Sequence, residues 1–202
     1  MLTRRLLLQA TAATALLAWS PAFAQQVTVG TAAATSLVQN LGTQLVTIVN
    51  APGPSAPKAA ALTPIIESSV DVDGIGHFCL GRFWRLATPQ QQQDYLHLFH
   101  RVLIGNITSR LGEFRGVRFT MTNTVERDGT TLVGTIIRRP NQEPVTVQWV
   151  VASVDGQPRI VDVIAEGTSL RLTQRSDYSS FVAQHNNSVA ALIVAMRMMT
   201  GS

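Results

Sequence analysis

The chain has one cysteine, Cys79, so an intramolecular disulfide is excluded. Its setting, GHFCLGRFW, reads as that of a small buried hydrophobe rather than a reactive thiol. Lys58 is the only lysine, and charged residues make up just 14% of the sequence. The arginines are scattered rather than gathered into a stripe, which argues against a nucleic-acid partner. Metal ligands are equally sparse. His97 and His100 stand three apart in HLFH, but no third ligand follows at a usable spacing, and zinc needs three or four. The pair reads as a half-exposed helical one. There is no glycine-rich phosphate loop. Ser169, Ser176, Ser179 and Ser180 lack the flanking glycines of a nucleophile elbow. No redox, metal or hydrolase signature emerges, and no cofactor is expected.

Long hydrophobic runs are also missing, except at the start. MLTRRLLLQATAATALLAWSPAFA has a basic opening, an apolar stretch too short to span a bilayer, and small residues at Ala22 and Ala24. It reads as a signal peptide over residues 1–24. Arg4-Arg5 suits an ordinary Sec signal and is also compatible with twin-arginine (Tat) export. Removing 24 of the 202 residues leaves 178, enough for a single domain over residues 25–202. Losing Arg4 and Arg5 lowers the formal charge from +4 to +2.

What is present is periodicity. TSLVQNLGTQLVTIVN sets Leu37, Val38, Leu41, Leu45, Ile48 and Val49 on one helical stripe, and APGPSAP ends it. A second helix is expected from about Lys58 to Ser69. A third, GIGHFCLGRFWRLA, could be capped by Asp73. TPQQQQDYLHLFHRVLIGNITSRL opens with Thr88 as N-cap, Pro89 at the first helical position and Gln91 three residues after the cap. From Val117 the period becomes two. Four strands follow, with Asp-Gly signals at RDGT and VDGQ marking hairpins. A final helix is expected from near Ser176, with a second start at Ser188. Helices, then an antiparallel meander, then a closing helix make an α+β domain.

On the last strand, Asp162 and Glu166 share a face with Ile160 and Ile164, while Val161, Val163 and Ala165 form the other. Such a carboxylate pair suits acid–base work in a small enzyme. It equally marks the outward, polar face of the strand, which is the preferred reading. The apolar residues of the helices and strands suit either a solid core or a pocket between layers.

Three separated stretches resemble the MlaC, or toluene-tolerance, family of periplasmic phospholipid carriers. They are GRFWRLATPQQQQDYLHLFHRVL, IIRRPNQEPVTVQWVV and VDVIAEGTSLRLTQRSDYSSFV, and the resemblance runs from about Pro64 to Arg197. It implies an NTF2-like curved four-stranded sheet packed on helices, with an apolar cavity between the layers and no catalytic residue. It further implies a monomer in the periplasm that works with an inner-membrane ABC transporter bearing an MCE-domain subunit and with an outer-membrane lipoprotein complex. A related branch is associated with hopanoid lipids, which leaves the cargo open.

Within that frame the acyl chains would be lined by Phe83, Trp84, Phe99, Val102 and Leu103 from the helices. From the strands they would meet Phe119, Val133, Ile137, Val147, Trp149, Val151, Val161 and Val163. Arg171 and Arg175 would stand near the mouth, facing a head group or a partner, unless they pair with Asp177 and Glu166. Gly74, Gly76 and Gly81 would serve either motion or close helix packing. The rival enzyme reading rests on Asp162.

Overall fold

The computed structural model describes residues 29–109 and 111–201. The expected signal peptide lies outside the described residues. Helix α1 spans Thr31–Asn50, α2 Ser55–Ser69, α3 Val72–Leu80 and α4 Pro89–Ser109. Strands β1 (Arg118–Arg127), β2 (Thr130–Arg138), β3 (Val145–Val154) and β4 (Gln157–Ala165) follow as an antiparallel meander. A fifth strand, β5 (Thr168–Ser169), pairs with β4. Helices α5 (Leu170–Gln184) and α6 (Val189–Thr200) close the chain. The α+β class is as expected, whereas the four-stranded sheet becomes five-stranded. Among the described residues no helix is long and apolar enough to cross a membrane.

Local chemistry sets most boundaries. At α4 the Thr88 amide donates to Gln91 Oε1 at 2.9 Å and the Gln91 amide donates to Thr88 Oγ1 at 3.2 Å, so two orphan donors are satisfied reciprocally. Ser188 caps α6 by accepting from the Ala191 amide at 3.2 Å. Helix α3 is capped by Asp71, not Asp73: its Oδ1 accepts from the Gly74 amide at 3.0 Å. The expected long third helix stops at Leu80, because Gly81 takes φ +55°, and a 3-10 helix, Gly81–Leu86, continues from there.

Each tight turn of the sheet places two residues at positive φ. Asp128 and Gly129 sit at 49° and 76°, and Asp155 and Gly156 at 50° and 76°. Glu166 and Gly167 repeat the pattern at 48° and 79°, the geometry of two-residue hairpins whose twist matches the flanking strands. Glu166 is an unusual residue for it. Its side chain accepts from the Thr146 amide at 2.5 Å, and its own amide donates to Thr146 O at 3.0 Å, which ties the turn to β3. Helix α5 therefore begins at Leu170, six residues before the expected Ser176. Ser169 is the cap, accepting from the Leu172 amide at 3.1 Å.

A bulge decides how β4 presents its side chains. Val150 pairs with Asp162 but Val151 pairs with Ile160, so Val161 is an extra residue. The parity read from the sequence fails at that point. Ile160 and Val163 pack into the same apolar cluster, and Asp162 turns away from it and is buried, with 5% exposure. The free edge of β4 at Ile160 is closed by Val70 and by the Asp71 amide, which donates to Ile160 O at 3.0 Å.

Candidate functional site

Two apolar clusters divide the interior. The first gathers helices α2 to α6 around Leu62, Leu80, Phe83, Tyr95, Phe99 and Met196. Tyr95, Phe99 and Tyr178 meet in tilted and edge-on contacts with centroids 5.9–6.3 Å apart. The Tyr95 hydroxyl, fully buried, donates to Gly76 O at 2.9 Å. Burial pushes the Tyr95 and Tyr178 phenols well above their ordinary value, and nearby ionisable groups add to the rise.

The second cluster lies between α1 and the inner face of the sheet. Its buried members are mostly small or β-branched: Ala34, Val38, Val133, Val151 and Ile160 among them. The bulky members, Leu37, Phe119, Met121 and Trp149, are only partly buried, as is Val163. Phe119 reaches α1 at Gly42, where a Cβ would lie 2.5 Å from its ring. The Trp149 indole donates to Thr135 Oγ1 at 3.0 Å, and that fully buried hydroxyl donates to Val147 O at 3.2 Å. Leu45 and Val70 pack against both clusters and form the seam between them.

The residues expected to line one cavity are thus distributed. Phe83, Phe99 and Val102 are buried in the helical cluster, with Trp84, Leu103 and Ile137 packed against it. Val133 and Val151 are buried under α1, with Phe119, Trp149 and Val163 beside them. Val147 is buried on β3 opposite Thr135. Val161 departs from Val163: the bulge turns it into a different opening, a surface cleft of about 600 Å³.

That cleft brings Arg171 and Arg175 together. Its walls include Arg82 and Arg85 from the 3-10 helix, Phe78 from α3 and Asp71 at the α3 cap. Both α5 guanidiniums stack on the Phe78 ring, at 4.4 Å for Arg171 and 4.7 Å for Arg175. Arg171 Nε is buried without a hydrogen bond, 3.6 Å from Asp162 Oδ2. Arg175 Nη1 donates to Phe78 O at 3.2 Å. The ion pair is with Asp162 rather than the Asp177 or Glu166 considered from the sequence. Sequence reasoning passed over Arg82 and Arg85, although the i, i+3 and i, i+4 arginine spacings were the signal that could have found them, and took Phe78 only as one apolar residue of the helices.

Asp162 is not a free carboxylate. It accepts from the Val163 amide at 2.7 Å, the Ser169 hydroxyl at 2.5 Å and the Arg171 amide at 3.1 Å. It fastens the first turn of α5 to β4, and Glu166 lies in the turn beyond, so the two carboxylates do not form a pair. Cys79 is fully buried beneath the same region, its Sγ 3.6 Å from Arg171 O. Burial pushes its thiol up to about 12, against the opposing pull of Arg171 and Arg175.

Of the three glycines around α3, a Cβ on Gly76 would press Leu96 and Phe99 at 3.0 Å, and one on Gly81 would lie 3.0 Å from Arg175 Nη2. Close packing accounts for both. A second opening, of about 860 Å³, is lined by Thr63, Leu96, His97, Arg101 and Met199. His100 lies there too, hydrogen-bonded to Asp73 at 2.8 Å. Among the described residues no three histidine, cysteine or carboxylate groups gather as a metal site.

Comparison with known proteins follows the same outline. The family model described as MlaC protein matches residues 39–198. A solved phospholipid-binding protein from Ralstonia solanacearum, in complex with a phospholipid, superposes with a TM-score of 0.73 at 19% identity. The match covers 83% of this chain and 97% of that one, and at this identity it shows a shared fold. No curated protein matches. Since the family model takes in the α1 C-terminal half, all five strands and nearly all of α6, the chain belongs to the MlaC family.

Proposed function

We propose that the protein is a periplasmic carrier that holds the acyl chains of a phospholipid between α1 and the sheet and moves them between membranes. One observation carries this reading: the α1–sheet layer keeps Phe119, Met121 and Trp149 only partly buried, while the helical cluster buries Phe83, Tyr95, Phe99 and Tyr178. An alkyl chain laid against the partly buried Phe119, Met121 and Trp149 would gain from burial. Each methylene removed from water is worth about 0.8 kcal/mol. Two long chains thus make free passage through water very slow, and an apolar layer removes that barrier without any bond being made. A carrier needs no catalytic group, in keeping with Asp162 being engaged by three donors.

Membership of the MlaC family and the phospholipid-bound neighbour support lipid as the ligand. The NTF2-like cone, the ABC transporter with an MCE subunit and the outer-membrane lipoprotein complex belong to the same proposal. The test is native mass spectrometry of the mature protein purified from a Gram-negative periplasm, followed by lipid analysis of the denatured sample. A stoichiometric phospholipid adduct is expected. A hopanoid adduct would change the cargo. A clean apo mass that persists after incubation with phospholipid vesicles would overturn the carrier.

A further inference from the structure

The arginine cleft calls for an explanation that neither packing nor acyl binding supplies. Four arginines line it, and the one carboxylate in its wall, Asp71, is occupied in capping α3. Arg171 and Arg175 lie one turn apart on α5, an arrangement of like charges that destabilises a helix. Stacking both on Phe78 brings the two charges to the same ring. Asp162 offsets Arg171 from below, but among the described residues no carboxylate pairs with Arg175, Arg82 or Arg85. Room for the Arg175 guanidinium is made by Gly81, where any side chain would crowd it. The cost of that arrangement is offset if an anion enters.

We infer that this cleft binds a phosphate group, with Arg175, Arg82 and Arg85 as its ligands and Arg171 holding Phe78 and Asp162 in place. A stacked guanidinium keeps its plane fixed and leaves N–H edges free for the paired hydrogen bonds that phosphate oxygens accept. Ile75, Phe78 and Trp84 join the cleft to the helical cluster, so apolar and cationic surfaces meet there. The phosphate has two candidate sources, the diester of a phospholipid head group and soluble phosphate. The first rests on the carrier reading and the second does not.

The test uses the whole mature chain, delipidated, in two arms. In one, vesicles carry dioleoyl-phosphatidylglycerol or dioleoylglycerol, which share tails and differ in the phosphate group. In the other, inorganic phosphate is titrated and followed by ³¹P NMR. The variants are Arg82→Gln/Arg85→Gln/Arg175→Gln and, as a charge control, Arg127→Gln/Arg138→Gln, two exposed arginines at opposite ends of the β1–β2 ladder. Arg171 is kept, because its loss would strand the buried Asp162. Arg175→Lys, which keeps charge but loses the fork, guards against a variant that fails to fold.

The wild type is expected to load phosphatidylglycerol in preference to dioleoylglycerol. The triple variant should lower that preference by about tenfold while still loading dioleoylglycerol, Arg175→Lys should fall between, and the control should match wild type. Phosphate binding that the triple variant abolishes, without any lipid preference, would keep the site and assign it to soluble phosphate. The same result with no lipid of either kind loaded would keep the site and remove the carrier. Wild-type behaviour of the folded triple variant or of Arg175→Lys in both arms overturns the inference.

Discussion

The helical cluster and the α1–sheet layer differ in which of their side chains are most completely removed from solvent. In the former, Tyr95, Phe83, Leu62, Leu80 and Met196 are almost completely removed from solvent, and the polar end of Tyr95 has a partner. In the latter, Leu41 and Ile160 are the largest buried members, and Phe119, Met121 and Trp149 are only partly buried. A close-packed interior resists both loss and gain of volume, whereas a layer with slack tolerates added volume until its own ligand is displaced. On the carrier reading proposed above, the contrast puts stability in one half and binding in the other.

The strongest way to break the contrast is truncation in the helical half. Phe99→Ala should cost about 3–5 kcal/mol in urea unfolding and leave the lipid content of the folded fraction unchanged. Little loss of stability would mean that the cluster is not the load-bearing part of the fold's free energy. Overfilling comes next. Val182→Trp in the helical half should destabilise by about 1–3 kcal/mol or more, while Val133→Trp under α1 should cost less and lower lipid content in native mass spectrometry. Equal costs, with lipid retained in Val133→Trp, would make the layer a solid core.

Two glycines sharpen the same point. A Cβ at Gly76 meets Leu96 and Phe99 at 3.0 Å between packed helices, and a Cβ at Gly42 meets the Phe119 ring at 2.5 Å. By distance alone Gly42→Ala looks worse. The Gly42 contact is with the far end of the Phe119 ring, which can rotate aside, and alanine is the better helix former, so Gly42→Ala should stay within about 0.5 kcal/mol of wild type. Gly76→Ala should lose about 1–2 kcal/mol, read from thermal or urea midpoints. Reversal of that order would show that the layer is the tighter region.

The effect that vanishes at neutral pH concerns protons. The Cys79 thiol is raised from its ordinary 9.0 to about 12 by burial. At neutral pH it is protonated in the folded and unfolded chain alike, so its contribution is fully present. As pH rises past 9.0 the unfolded thiol ionises first, and stability falls until the folded thiol follows near 12. Cys79→Ser should flatten that part of an alkaline stability profile. At pH 8 the wild-type thiol should react with a maleimide only as fast as the chain opens.

Much of the fold was legible because local signals act alone. Thr88, Pro89 and Gln91 specify the α4 start without help from the rest of the chain, and Asp128-Gly129 and Asp155-Gly156 specify their hairpins. What stayed hidden depends on partners distant in sequence. The alternation of PRIVDVIAE continues smoothly through Val161, and only pairing with β3 reveals the bulge that buries Asp162 and redirects Val161. Ser169 and Ser176 are equally good caps by composition. The choice was made by Asp162, whose carboxylate holds the Ser169 hydroxyl and the Arg171 amide next to β4. Of the site, the individual apolar residues were readable but their division into two clusters was not, and Arg171 and Arg175 were found without Phe78, the ring that unites them.

Helix α1 touches the sheet through partners far along the chain: Thr31 donates to Glu126, and Thr131 donates to the carbonyl of Val29 just before the helix. The meander needs only short loops to assemble, while α1 must close a loop of roughly a hundred residues to reach it, at a larger entropic cost. A helix joined to the sheet across so long a closure can leave it without unravelling the meander, and on the carrier reading its departure would open the inner face of the sheet to a ligand. Native-state hydrogen exchange should accordingly release α1 amides well before those of α4.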